Sequence, residues 1–255
     1  MPAYHKIAYT IDGPIAHLTL NRPEKRNALD SEMVSEIRHA LSDSGENSDV
    51  RVVLLSGAGK DFCSGADLAA LQQIANATVM ENVADARQLA DVFLDMRRHP
   101  RPIVAAVRGR ALAGGCGIAT AADIILATES AQFGYPEVKI GFVPAMVMAI
   151  VRRSVSEKRA FELLTSGEPF PARTALEIGM INRIFSDASF DREVESYAAQ
   201  LAARSASALS LTKSLLYQID AMAFEAALSA GVNINALARQ TEDCRRGIEQ
   251  FLKRC

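Results

Sequence analysis

The stretch GRALAGGCGIATAADI, Gly109 to Ile124, sets Gly114, Gly115, Cys116 and Gly117 at the head of an apolar segment that otherwise reads as a helix. A glycine inside a helix costs about 1 kcal/mol relative to alanine, so bare backbone is kept there for a reason. Two reasons are open: a ligand that must approach the backbone closely, or a tight turn and close helix packing. Upstream, IVAAVRG is an apolar run suited to a strand buried on both faces, and downstream DIILAT and AQFGY read as short strands. A strand feeding a glycine-headed helix and then further strands is the alternation of an α/β fold with stacked strand–helix units.

The same alternation extends toward the N-terminus. HKIAYT and IAHLTL flank the turn signal IDGP and predict a hairpin. The polar stretch LNRPEKRNALD follows as a loop. Asp30 or Ser31 then caps a helix striped by Met33, Ile37 and Leu41. VRVVLLSG is a second strand of the doubly buried kind, and AGKDFCSGADL is the loop after it. One long helical pattern runs through Leu71, Ile74, Val83, Leu89, Val92, Phe93 and Met96 until HPRP stops it.

Toward the C-terminus, VPAMVMAIVRR, SEKRAFELLTSG and PARTALEIG read as helices, and MINRIF as a last strand. From about Phe190 only helical signals remain. The chain therefore divides into an α/β core, residues 1–190, and a helical C-terminal subdomain, residues 191–255. The subdomain is small for an independent domain and is expected to pack on the core or on a neighbouring subunit.

Composition narrows the function. The chain has 255 residues, 49% of them hydrophobic and 23% charged, with a net charge of −2, which gives no basic face for nucleic acid. Arg97, Arg98, Arg101, Arg152 and Arg153 read as solvated helix ends. The cysteines, Cys63, Cys116, Cys244 and Cys255, form no CxxC pair, so no metal site is expected. There is no signal-peptide order at the N-terminus and no run that spans a bilayer. Free thiols then point to a reducing, cytoplasmic setting. None of His5, His17, His39 and His99 stands beside a nucleophile motif, and FCSGAD is not a G-x-S-x-G elbow. Dinucleotide and Walker-type glycine patterns are also missing.

Three loops end buried strands: Asn21–Asp30, Ser56–Leu68 and Gly109–Gly117. Ligand sites of open α/β folds form at the carboxyl ends of strands. Two of these loops feed helices, whose first N–H groups have no intrahelical partner. The amides of Ala66 and Gly114 are thus candidates to converge on one anionic oxygen, as in an oxyanion hole.

LNRPEKRNALDSEM, GAGKDFCSGADL, PIVAAVRGRALAGGCGIATAADIILATESAQFGYPEVKIGFVP and TEDCRRGIEQFLKR occur in this order over nearly the whole chain. Together they resemble the enoyl-CoA hydratase/isomerase (crotonase) superfamily. The resemblance implies a spiral of stacked ββα units with a helical C-terminal segment, and a homo-oligomer, trimer or dimer of trimers. It implies an acyl-CoA thioester as ligand, with coenzyme A part of the substrate and no separate cofactor. The thioester oxygen is expected between the N–H groups of Ala66 and Gly114. Adenine and phosphate contacts are expected from the loop of Lys25, Arg26, Asn27 and Ala28, and from the backbone near Ala66, Asp67 and Leu68. The Asp67 side chain reads equally as a helix cap. Ser64, Leu112, Gly115, Gly117, Tyr135, Pro136 and Met146 complete the expected substrate surface.

Hydratases of this superfamily carry two glutamates that hold and activate water. PEV supplies the second as Glu137, but the first position is Gly117. A single carboxylate suffices to move a proton from the α-carbon of a 3-enoyl thioester to a carbon two positions away. Isomerisation is therefore the expected reaction, with hydration or a CoA-thioester-binding protein of weak activity as alternatives. Phe133, Tyr135, Val138, Ile140, Phe142 and Val143 predict apolar surroundings for Glu137, which raise a carboxyl pKa and make a better base. Tyr135 is expected mainly to pack, Met146 to line the pocket or pack, and Met148 to fill core.

Overall fold

The computed structural model describes residues 4–253, apart from the side chains of residues 68, 70, 71 and 74. Cys255 and the first three residues lie outside the described residues. Strands β1 (Ile7–Asp12) and β2 (Ile15–Leu20) form the expected hairpin, with Asp12 opposite Ile15 and Gly13 at φ 52° in the turn. Helix α1 (Ser31–Glu46) is capped by Asp30, whose side chain accepts from the Met33 N–H at 2.8 Å, and it buries Met33, Ile37 and Leu41. Strand β3 (Val52–Gly57) follows.

The single long helix expected next is two helices, α2 (Leu68–Asn76) and α3 (Val79–Arg98). Thr78 divides them. Its hydroxyl accepts from the Glu81 N–H, and the Glu81 carboxylate accepts in return from the Thr78 N–H at 2.7 Å. This reciprocal cap satisfies orphan donors that a continuous helix would not have.

Strand β4 (Ile103–Val107) leads to a second correction, because the glycine-rich stretch contains a strand, β5 (Arg110–Leu112), before helix α4 (Gly114–Ala121). Then come β6 (Ile124–Thr128), β7 (Gln132–Gly134), α5 (Ala145–Ser154), α6 (Glu157–Ser166), β8 (Phe170–Pro171), α7 (Ala172–Glu177) and β9 (Arg183–Phe185). One sheet of six strands has the order β1-β2-β3-β4-β6-β9, and a small sheet has the order β5-β7-β8. From β2 onward the large sheet is parallel.

Both faces of the large sheet are covered, as parallel sheets require. Leu18, Val53, Leu55, Ile103, Ala105 and Ile125 face the main core with α1 and α3, whereas Val52, Leu54, Val104, Ala106 and Leu126 face the other way. Helix α8 (Phe190–Ala202) seals that second face with Phe190, Val194, Ala198 and Ala202. Helices α9 (Ala206–Gln218), α10 (Phe224–Gln240) and α11 (Glu242–Leu252) complete the helical C-terminal segment. Of these, α9 buries Lys213, and α10 and α11 bury nothing. Among the described residues, no helix is long and apolar enough to cross a membrane.

Candidate active site

The site grows from the small sheet. β5 and β7 are parallel, with Leu112 opposite Gly134, so both leave the sheet at the same end. β5 runs into α4 at Gly114, and β7 runs into a 3₁₀ turn, Pro136–Ile140, that carries Glu137. The Ala113 N–H donates to the Gly134 carbonyl at 2.8 Å and fastens the two exits together. The other loops are stitched to the same point. Cys63 bridges to Ala111, donating to Arg110 O at 3.0 Å and accepting from Leu112 N at 2.9 Å. Leu29 bridges to Ala66, donating to Gly65 O at 2.7 Å and accepting from Asp67 N at 2.9 Å. The three loops expected from the sequence are thus brought together.

In the Leu29 bridge the bonds run through Gly65 and Asp67, so the Ala66 N–H points elsewhere. It donates to no described residue, and neither does the N–H of Gly114 at the first position of α4. Residues 65 and 114 lie side by side. Gly65 has φ 95°, and a Cβ built on it would lie 2.8 Å from Ala113 Cβ and 3.7 Å from Gly114 N. Ala113 holds φ 51° and ψ −129°, a conformation costly for a residue with a Cβ, which sets the direction of the amide into Gly114. Gly115 is a correction. It is buried, and an added Cβ would lie 2.5 Å from Cys63 Sγ and 2.7 Å from Cys63 O, so its bare backbone lets α4 sit on the Cys63 loop.

Glu137 is half-buried, and its Oε2 is buried without a hydrogen-bond partner among the described residues. Burial raises its carboxyl pKa above the ordinary value. The expected cause is partly wrong, because Ile140, Phe142 and Val143 are exposed on the turn and the loop after it. Of the expected surroundings, Phe133 and Tyr135 are fully buried, on and just after the strand that leads into the turn. Tyr135 does not reach a ligand surface, since its hydroxyl lies 2.8 Å from Thr120 Oγ1 inside the core. Burial also pushes the Cys63 and Cys116 thiols up to about 12 and about 11, so neither is a thiolate nucleophile near neutral pH.

Gly117 is a further correction. It is buried, and an added Cβ would lie 2.4 Å from Val147 Cγ1 and 3.0 Å from Phe93 Cζ. The place of a second carboxylate is therefore filled by hydrocarbon from α5 and α3, and Gly117 offers no surface to a ligand. Val147 is the core residue of its helix turn, whereas Met148 is 43% exposed instead of filling core. Met146 is partly buried against the main core.

On the first loop, Lys25 and Arg26 are exposed and Asn27 is fully buried. Asn27 Oδ1 accepts from Arg22 N, and its Nδ2 donates to the carbonyls of Ala58 and Asp61 at 2.9 and 2.8 Å. The Arg22 guanidinium joins Asp30 at 2.8 Å, Asp67 at 2.9 Å and the carbonyl of buried Ala28 at 2.8 Å. Asp67 also accepts from the Ala69 N–H at 2.9 Å, and that bond holds its pKa down, so its side chain acts as a cap. Ser64 is half-buried and donates its N–H to Arg26 O at 3.0 Å. Leu112 and Pro136 are half-buried at the two strand exits, and Leu68 opens α2 with its side chain outside the described residues.

Of the basic residues expected to be solvated, Arg97 and Arg153 both pair with Asp220, and Arg152 pairs with Glu157 at 3.0 Å. Arg97 and Arg153 line a cleft of about 310 Å³ that also takes in Phe93, Thr120, Asp123, Tyr217 and Asp220. His5, Glu32 and Glu36 gather at the surface, where Glu36 already accepts from the backbone N–H groups of His5, Lys6 and Ile7.

Known proteins share this chain and its fold. The enoyl-CoA hydratase/isomerase family model matches residues 10–255. A putative enoyl-CoA hydratase of Thermus thermophilus is 39% identical over 95% of this chain and 96% of that protein. The 2,3-dehydroadipyl-CoA hydratase of Escherichia coli is 31% identical over 93% of this chain and 91% of that protein. An enoyl-CoA hydratase structure from Mycobacterium smegmatis superposes with a TM-score of 0.94 at 29% identity, covering 98% of this chain and 97% of the other. A putative enoyl-CoA hydratase/isomerase (crotonase) from Legionella pneumophila gives 0.91 at 31% identity, covering 99% and 98%.

Proposed function

Because this chain belongs to the enoyl-CoA hydratase/isomerase family and has the crotonase fold, we propose that it shifts the double bond of an enoyl-CoA thioester with Glu137 as its single acid/base. The family acts on CoA thioesters. In this reading the thioester oxygen sits between the N–H groups of Ala66 and Gly114. Glu137 takes a proton from the α-carbon of a 3-enoyl thioester. The electrons move into the carbonyl as a dienolate, and Glu137 returns the same proton to the γ-carbon to give the 2-enoyl product. Each backbone donor contributes about 2.7–4 kcal/mol to the enolate-like transition state, by analogy with other oxyanion holes.

The observation that carries this reading is the pairing of a half-buried, unpartnered Glu137 Oε2 with a Gly117 position packed by Val147 and Phe93. A general base with a raised pKa supports proton abstraction, and no second carboxylate has room at Gly117. Lys25 and Arg26 supply exposed charge for the phosphates of coenzyme A.

Hydration of a trans-2-enoyl-CoA is the second reading, favoured by the hydratase names of the relatives. The third is a CoA-thioester-binding protein of weak activity. Purified protein incubated separately with 3-enoyl-CoA and trans-2-enoyl-CoA decides among them. Conversion of the first that is lost in Glu137→Gln supports isomerisation. Efficient hydration of the second that survives Glu137→Gln overturns the mechanism. Thioester binding without turnover selects the third reading.

The helical C-terminal segment supports assembly. Leu228, Val232, Leu237, Ile248 and Phe251 are each more than half exposed on α10 and α11, a surface expected to be covered in an oligomer. Further copies of this chain, as a trimer or a dimer of trimers, are the proposed cover.

A further inference from the structure

The packing at Gly117 points to a residue that determines which reaction the site performs. We infer that Val147 is a specificity-determining residue: its side chain closes the wall at residue 117 and keeps the site to one carboxylate. This rests on the one-carboxylate reading above and names the residue that enforces it.

Gly117 sits on the first turn of α4, where its N–H donates to Ala113 O at 2.9 Å, and the Ala113 N–H donates to Gly134 O at the strand exit that leads into the Glu137 turn, so the wall at 117 belongs to the same cluster of strand exits as the carboxylate. Two helices build it. Val147 is 3% exposed on the inner face of α5, and Phe93 is 8% exposed on α3. A Cβ on residue 117 would lie 2.4 Å from Val147 Cγ1, closer than real Cβ atoms come. Valine cannot swing clear, because a β-branched side chain in a helix has one strongly preferred χ1 rotamer. The same Cβ would lie 3.4 Å from Val147 Cβ, an ordinary contact, and 3.0 Å from Phe93 Cζ at the far end of a ring. Removing the two Val147 methyl groups thus removes the closest of these contacts and leaves the Phe93 ring to give by a few tenths of an ångström. Positions 117 and 147 are coupled: a water-holding glutamate at 117 requires a smaller residue at 147.

Four proteins test this: the wild type, Gly117→Glu, Val147→Ala and the double variant. Thermal unfolding and turnover of trans-2-enoyl-CoA and 3-enoyl-CoA are measured on each. Gly117→Glu alone is expected to lower Tm by about 5–10 °C, the range for overpacking a core in a chain of this size. Val147→Ala in that background restores most of the loss. Hydration by the double variant exceeds that of the wild type and of either single variant by at least about tenfold, in line with the gain expected from one positioned acid/base group. A Gly117→Glu protein as stable as wild type, or a double variant no more stable than Gly117→Glu, overturns the steric coupling. A folded double variant that still turns over 3-enoyl-CoA but gains no hydration overturns the specificity role. A wild type inert toward 3-enoyl-CoA overturns the isomerase reading instead, while the four melting temperatures still decide whether Val147 blocks a side chain at 117.

Discussion

Lys213 Nζ lies 2.7 Å from Asp123 Oδ2, with the two side chains 7% and 14% exposed. Lys213 comes from α9, and Asp123 precedes β6. The same ammonium donates to the carbonyls of Met96 and Arg101 at 2.9 and 3.1 Å, and the same carboxylate oxygen accepts from Ile103 N at 2.7 Å. The pair ties the C-terminal helices to the head of the large sheet. Lys213→Met leaves the Asp123 charge buried without its partner and is expected to cost about 3–5 kcal/mol. Adding Asp123→Asn recovers part of that loss. Denaturant unfolding of both variants measures it, and a loss below about 1 kcal/mol in the single variant contradicts a buried tie.

Glu137→Gln lowers kcat by about 10²–10⁴ if Glu137 is the acid/base, and it has an opposite effect on stability. Burial raises the Glu137 pKa above its ordinary 4.5. Between 4.5 and that higher folded value, the folded protein binds more protons than the unfolded chain. Stability therefore falls as pH rises through this window and then levels off. The glutamine variant escapes the loss: it matches the wild type below pH 4 and is more stable at pH 7.5. The acid limb of kcat/KM in the wild type falls through a pKa above the ordinary carboxylate value. Thermal melts at the two pH values and a pH–rate profile check both signs, and an acid limb at or below 4.5 excludes Glu137 as the titrating base.

The exposed pair Lys25 and Arg26 separates recognition of the nucleotide from recognition of the acyl chain. Lys25→Ala combined with Arg26→Ala raises KM for an acyl-CoA by roughly tenfold, the effect of losing a charge-assisted contact of about 1.5 kcal/mol. The matching acyl-pantetheine thioester, which lacks the nucleotide, is turned over by variant and wild type alike. An equal change for both substrates points to a collapsed loop, which Arg22 and Asn27 are built to prevent.

Leu228 and Val232 are 56% and 69% exposed and stand four residues apart on α10, hence on one face. Leu228→Glu with Val232→Glu places charge in the proposed contact between copies. Sedimentation is expected to show a smaller species than the wild-type oligomer, with the helical content unchanged. A wild type that sediments as a monomer removes the basis of this expectation.

Much of the core is legible because VRVVLLSG and IVAAVRG are continuous apolar runs, and only a sheet covered on both faces hides both alternating sets. The break at Thr78 has a readable sign in its Thr-x-x-Glu spacing, which the apolar periodicity across it hides. Strand β5 has none, for three residues among glycines become a strand only through pairing with β7. Ile140, Phe142 and Val143 mislead for a related reason: Ile140 ends a 3₁₀ turn and the other two follow in a loop, so none need share Glu137's surroundings. Ala66, Gly114 and Glu137 are marked locally by the short stretches that hold them, CSGAD, AGGCG and YPEV. Arg22 and Ala113 are not, because each acts through a torsion angle or through contacts with segments distant in the chain.

The amides proposed to hold the thioester oxygen belong to Ala66 and Gly114, and the torsion that aims the second belongs to Ala113. None of these residues has a functional side chain to delete. An alanine scan passes over positions 66 and 113 without changing an atom, and at 114 it adds a methyl group instead of removing a donor. Only an edit of the main chain, exchanging the amide at 66 or 114 for an ester, makes that half of the chemistry visible. A functional map drawn from side-chain deletions would show Glu137 working alone, beside a blank where the backbone does its part.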